Sequence, residues 1–147
     1  MTMKGKVERS IEITAPPAAV WRWLASQEAL RRWISPNIEI DLRLGGAYRF
    51  LGPDNATWIS GVVLELEPQE SLILSWFEED GDWVHPGRLV IALAPSAAGT
   101  TVSLIHDGFA GIGKADWPES VKDYERGAGE HRILERLAEL VTGGVHA

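Results

Sequence analysis

The sequence predicts an α+β fold: a curved antiparallel sheet of six to seven strands wrapped around a long C-terminal helix, with two short helices after the first strand. Three observations carry this. A strand-like segment stands alone at the start and leads into two short helical stretches. Residues 37–107 then alternate with period two between turn signals and show no helical period. The last third changes to apolar residues at helical spacing. Each strand has one apolar face that needs cover, and the C-terminal helix is the simplest cover. A curved sheet gripping a helix tends to leave a cavity between the two.

The first strand is read from Val7, Arg9, Ile11 and Ile13 alternating with Glu8, Ser10, Glu12 and Thr14. Ala15-Pro16-Pro17 ends it, and proline suits the first turn of a helix over 18–25. Ser26 is the expected N-cap of a second helix over 27–33, which Ser35-Pro36 stops. Strands follow over 38–42, 47–51, 57–67, 71–77, 87–94 and 101–107, separated by glycine- and proline-rich turns. Gly61 marks a candidate bulge in the longest of them. The stretch 108–115 carries three glycines and reads as a flexible loop. Asp116, Pro118 and Glu119 then form a capping-box-like start to a long helix. Val121, Tyr124, Ala128, Ile133, Leu134, Leu137, Leu140 and Val141 mark its apolar stripe. Gly127 and Gly129 sit within it, at about 1 kcal/mol each relative to Ala, and imply a close approach to the sheet or a kink.

Composition narrows the function classes. The chain has 147 residues, a hydrophobic share of 45% and a net charge of −7. One domain over 1–147 is expected, with an ordered core of about 7–142. No cysteine is present, which excludes disulfides, thiolate metal sites and a thiol nucleophile. The acidic balance argues against nucleic-acid binding. No apolar run reaches the ~20 residues needed to span a bilayer, and the opening MTMKGKVERSIEI has no apolar core of a secretory signal. A cytoplasmic location is the expectation. The unusual feature is seven tryptophans.

Several motifs carry a family resemblance. Ile13-Thr14-Ala15-Pro16-Pro17-Ala18-Ala19-Val20-Trp21 opens the first helix, and Trp33 ends the second. Asp41-x-Arg43-x-Gly45-Gly46-x-Tyr48-Arg49-Phe50 forms the central turn and strand. Gly61-x-Val63-x-Glu65-x-Glu67-Pro68 and Leu72-x-Leu74-Ser75-Trp76 form the next hairpin. Gly99-Thr100-Thr101-Val102-x-Leu104-x-His106-x-Gly108-Phe109 forms the last strand and loop. In this order and spacing, over about 7–142, the chain resembles the helix-grip (START-like, SRPBCC) superfamily. Within it, the chain looks like the family named after the activator of the heat-shock-protein-ninety ATPase. The resemblance implies a helix-grip fold with a cavity, and relatives that include hydrophobic-ligand carriers, polyketide cyclases and co-chaperone domains. One departure stands out: where that family usually has Gly-Trp in the final helix, this chain has Gly127-Ala128. Function must therefore be argued from the site.

His106 shares a strand face with Val102 and Leu104 and should point inward, as a hydrogen-bonding handle for a ligand or as a core residue satisfied by a carbonyl or by Tyr124. His85, His131 and His146 are scattered and offer no metal-ligand spacing, so no metal and no cofactor are expected. The acidic run Glu78-Glu79-Asp80-x-Asp82 reads as a solvated hairpin tip. No serine sits in a nucleophile elbow. The ligand-binding set read from aromatic patterning is Phe50, Trp58, Trp76, His106, Phe109, Trp117, Tyr124 and Ala128. Arg49 should face solvent and pair with Glu39 or Asp41, Trp21 should fill the core, and Trp23 and Trp83 are candidates for exposure at an interface. The function expected is binding of a small hydrophobic or aromatic molecule between sheet and helix. The alternatives are a cyclase- or dehydratase-type enzyme using His106, Tyr48 and Tyr124, and a co-chaperone-like or stress-response interaction module. The expected partner is a small apolar ligand, with homodimerisation through a sheet edge or an exposed tryptophan as a further option.

Overall fold

The computed structural model describes residues 5–143, except that the side chains of 128–131 lie outside the description. Seven strands form one curved antiparallel sheet in the spatial order β1-β7-β6-β5-β4-β3-β2. They are β1 (Val7–Ile13), β2 (Glu39–Ile40), β3 (Ala47–Leu51), β4 (Trp58–Glu67), β5 (Ser71–Glu78), β6 (Gly87–Pro95) and β7 (Thr100–Asp107). Strands β2 to β7 follow one another as a meander, and β1 closes the far side by pairing with β7, Val7 opposite His106 and Ile13 opposite Thr100. Between β1 and β2 lie α1 (Pro17–Trp21) and α2 (Gln27–Leu30), shorter than the sequence suggests. Ser26 caps α2 as expected, accepting from the Ala29 N–H at 3.1 Å. Val20, Leu24, Leu30 and Trp33 are fully buried there, and the Trp33 indole donates to the Trp23 carbonyl at 2.8 Å.

The alternation reads cleanly in β6 and β7. Leu89, Ile91 and Leu93 face the core from β6; Val102, Leu104 and His106 do so from β7. Leu72, Leu74 and Trp76 do the same from β5. In β4 the inward placement expected for Trp58 is wrong, and its face points outward. Ile59 and Val63 are buried, whereas Val62 and Leu64 are exposed on the outer surface. The register shifts between Val63 and Glu65, so the bulge lies past Gly61. Gly61 serves a close approach instead: a Cβ there would sit 2.2 Å from the Ser75 carbonyl oxygen on β5.

The C-terminal helical arm lies across the open side of the sheet, with both of its segments against β1. It comprises α3 (Trp117–His131) and α4 (Ile133–Val141), interrupted at Arg132, which adopts a left-handed conformation (φ 50°, ψ 45°). The expected single helix is thus two, and the break falls beyond the two glycines. Asp116 precedes α3 but makes no side-chain cap. The stretch 108–115 is anchored rather than free. Gly108 (φ 82°) turns the chain so that Phe109 and Ile112 bury completely, and the Ile112 carbonyl accepts from the Val84 and His85 N–H groups at 2.7 and 3.1 Å. No helix among the described residues is long and apolar enough to cross a membrane.

The contact at Gly61 generates a prediction. Gly61→Ala must push β4 away from the Ser75 backbone, which no side-chain rotation relieves, and overpacking of this kind costs about 1–3 kcal/mol. Urea unfolding should show a lowered midpoint with an unchanged m-value; a wild-type midpoint would contradict the close approach.

Candidate functional site

Between the concave face of the sheet and the helical arm lies a cavity of about 880 Å³. Its floor is apolar and aromatic, from Phe50, Ile59, Trp76, Leu89 and Leu104. Tyr124 and Gly127 of α3 and Ile133 of α4 cover it. The segment 34–37 and the β3–β4 turn at 52–55 contribute the remaining walls, and the exposed Asp54, Asp123, Arg126 and Arg136 form a charged rim.

Trp76 is the centre of this wall. Its ring meets Phe50 edge-on at 5.4 Å between centroids, His106 at 4.7 Å and Tyr124 at 5.9 Å. Edge-to-face pairs at such distances are each worth about 0.5–1.5 kcal/mol beyond area burial. The Trp76 indole N–H donates to the Tyr124 hydroxyl oxygen at 3.1 Å, and that hydroxyl donates in turn to the Glu78 carboxylate. Trp76 and Glu78 are two residues apart on β5, so both point to the same side of the sheet. A polar chain from strand to helix and back thus runs along the cavity wall. Burial and the neighbouring Glu78 carboxylate both push the Tyr124 hydroxyl far above its ordinary range, so it stays a neutral donor.

His106 occupies the neighbouring position on β7, 4% exposed. Its ring lies 4.5 Å from Tyr124, 4.7 Å from Trp76 and 4.8 Å from Phe109. Nε2 is buried with no hydrogen-bond partner among the described residues, so the expected satisfaction by a carbonyl or by Tyr124 is absent at that atom. Burial pushes the imidazole down to about 3, only weakly opposed by Asp107. The ring is therefore neutral at physiological pH. Asp107 points to the other side of the strand, where Arg88 donates to both its oxygens at 3.0 and 2.7 Å and holds its carboxyl below the usual range.

The structure brings together four of the eight expected ligand-binding residues: Phe50, Trp76, His106 and Tyr124 line the one cavity. Phe109 stands behind His106, fully buried, as part of the core. Trp117 is half-buried at the start of α3, packed on the core but outside the cavity wall. Trp58 is placed elsewhere. It lies on the outer face of β4, where the Arg49 guanidinium stacks 3.9 Å from its ring, because the core face of this strand belongs to the odd-numbered residues before the bulge. Arg49 is solvent-side as expected but pairs with Glu79, donating to both carboxylate oxygens at 2.8 Å. The side chain of Ala128 lies outside the described residues. Trp83, expected exposed, is buried against Phe109 and Tyr124. Tyr48, expected as an alternative acid–base group, spends its hydroxyl on the Ser75 carbonyl at 2.6 Å, and burial raises it far above its ordinary range. Glu78 is the residue sequence reasoning missed. It continues the parity of Leu72, Leu74 and Trp76 into what was read as a solvated tip, and that continuation was the available signal. Among the described residues, no group of three or more His, Asp or Glu is placed to hold a metal ion.

The buried neutral imidazole sets an acid limb for stability. Its folded value near 3 lies below the unfolded value near 6.5. Between the two, the unfolded chain binds the extra proton, so stability is full above about pH 6.5 and falls as pH drops toward 3. The folding equilibrium constant should lose up to about tenfold per pH unit in that window from this one group. His106→Leu should flatten that part of the curve, read from denaturant midpoints at a series of pH values. An unchanged acid limb in the variant would contradict a neutral buried His106.

Comparison with known proteins bears on the fold and the family of the chain. No protein of curated function matches the chain. Solved structures do. A protein of Mesorhizobium loti superposes with a TM-score of 0.77 at 19% identity, covering 93% of this chain and 96% of its own. A protein of Chromobacterium violaceum gives 0.69 at 28% identity, covering 93% and 96%. The Aha1 dimer of Colwellia psychrerythraea, solved in solution, gives 0.70 at 15% identity, covering 92% and 95%. At these identities the likeness speaks for the fold. The sequence itself goes further, because residues 14–142 match the family model described as Activator of Hsp90 ATPase homolog 1-like protein, which covers most of the chain. By that match, and with the helix-grip architecture behind it, the chain belongs to this family.

Proposed function

We propose that the protein binds a small hydrophobic or aromatic molecule in the cavity between the sheet and the helical arm. The observation that carries this reading is a partly open cavity of about 880 Å³ whose floor of Phe50, Trp76, Leu89 and Leu104 is apolar and aromatic, beneath a polar and charged rim. Pockets of this size, mostly apolar with sparse polar handles, are the usual form of small-molecule sites. The acid–base alternative has less support. A neutral imidazole held down to about 3 is a weak base at physiological pH. Both candidate tyrosines are held protonated, with their hydroxyls committed to Ser75 and Glu78.

Native mass spectrometry of gently purified protein tests the reading, together with titration by the neutral probe N-phenyl-1-naphthylamine. The expected result is a reproducible adduct of a few hundred daltons or saturable probe binding. The double substitution Leu104→Trp/Ile133→Trp, which fills the cavity from floor and roof, should weaken probe binding about tenfold or more. A bare mass with no probe binding would sink the reading.

A second reading concerns self-association, and the outer surface favours it. Leu44, Val62 and Leu64 are 69%, 37% and 47% exposed, and the Gly45 N–H bonded to the Val63 carbonyl at 2.8 Å brings Leu44 beside β4. A contiguous exposed apolar patch is a candidate interface, and the similar Colwellia psychrerythraea protein is a dimer. Sedimentation velocity should show a concentration-dependent dimer that Leu64→Glu abolishes. Monomer alone at all concentrations would remove this reading.

A further inference from the structure

The polar groups of the cavity wall are not evenly matched. Tyr124 has its proton committed to Glu78 and one lone pair taken by the Trp76 indole. Glu78 is an acceptor, and a carboxylate offers about four lone-pair sites, of which Tyr124 fills one. His106 lines the same cavity, neutral, with Nε2 buried and unpartnered among the described residues. The two residues flank Tyr124: its hydroxyl bonds Glu78 and its ring lies 4.5 Å from His106. A hydroxyl group fits Glu78, because it can donate to the carboxylate's free lone pairs. A ligand carboxylate at that end would face the Glu78 charge, and an ether or ketone brings no proton for it.

Building on the cavity-binding reading above, we propose that the ligand is a hydroxyl-bearing aromatic molecule whose hydroxyl is recognised by Glu78, with its apolar body against Trp76 and Phe50. The recognition is reversible hydrogen bonding, with no covalent step.

Three probes of nearly equal shape test this by equilibrium dialysis: naphthalene, 2-methoxynaphthalene and 2-naphthol. The expected result is that all three bind and that 2-naphthol binds about tenfold tighter than 2-methoxynaphthalene. In Glu78→Leu the preference should shrink to about twofold or less while naphthalene affinity holds or rises. Because the preference is read first in the unaltered protein, it does not depend on how well a variant folds. Equal binding of all three probes in the unaltered protein would overturn hydroxyl recognition and leave the cavity reading standing. Binding of none would overturn both. A preference that survives undiminished in a folded Glu78→Leu would overturn the assignment to Glu78.

Discussion

The arrangement depends on one polar tie across an otherwise apolar gap. A helix laid over a sheet through large side chains can slide, since hydrophobic contact has no direction. The chain from the Trp76 indole to the Tyr124 hydroxyl to the Glu78 carboxylate fixes α3 relative to β5 at both ends of one short stretch of strand. Hydrogen bonds to an ionised acceptor are short and directional, and stronger when water is scarce. With Tyr124 held there, its ring in turn positions His106, Phe109 and Trp83 around it. The space between sheet and helix stays open because the tie sets the spacing.

The outer face of the sheet is built on a different principle. Arg49 stacks on Trp58 and grips Glu79 with two parallel bonds, joining β3, β4 and the end of β5. Arg88 and Asp107 do the same for β6 and β7. Exposed ion pairs contribute little individually, yet these span neighbouring strands and cover aromatic surface that would otherwise be wet. The inner face uses burial and one charged acceptor, and the outer face uses paired charges and half-buried aromatics.

The sequence exposes most of the fold because one large apolar face runs through β5, β6 and β7 in regular alternation. Leu89, Ile91 and Leu93, or Val102, Leu104 and His106, allow no other reading once one face must be buried. β4 defeats the same rule. Trp58, Val62 and Leu64 make its outer face as apolar as its inner one, and a bulge changes the parity after Val63. The cavity residues on regular strands and on the first turns of α3 were legible: Phe50, Trp76, His106 and Tyr124. Those requiring tertiary knowledge were not. Trp83 looked exposed because it follows an acidic turn, but the loop after β7 folds back over it. Glu78 looked solvated because its chain neighbours are acidic, although its parity along β5 puts it inside. The interruption at Arg132 had no local signature, since arginine is an ordinary helix former.

The pairing of β1 with β7 has a consequence for how the protein acquires its shape in time. Strands β2 to β7 each pair with a neighbour close in the chain, so the meander forms through short loop closures. Val7 meets His106 only after a closure that spans about two-thirds of the chain, the entropically costly step in such a topology. β1 also supplies the surface on which α3 and α4 rest. Because the cover lies in α3 and α4, a nascent chain has nothing to lay over the cavity floor until its helical arm has been synthesised.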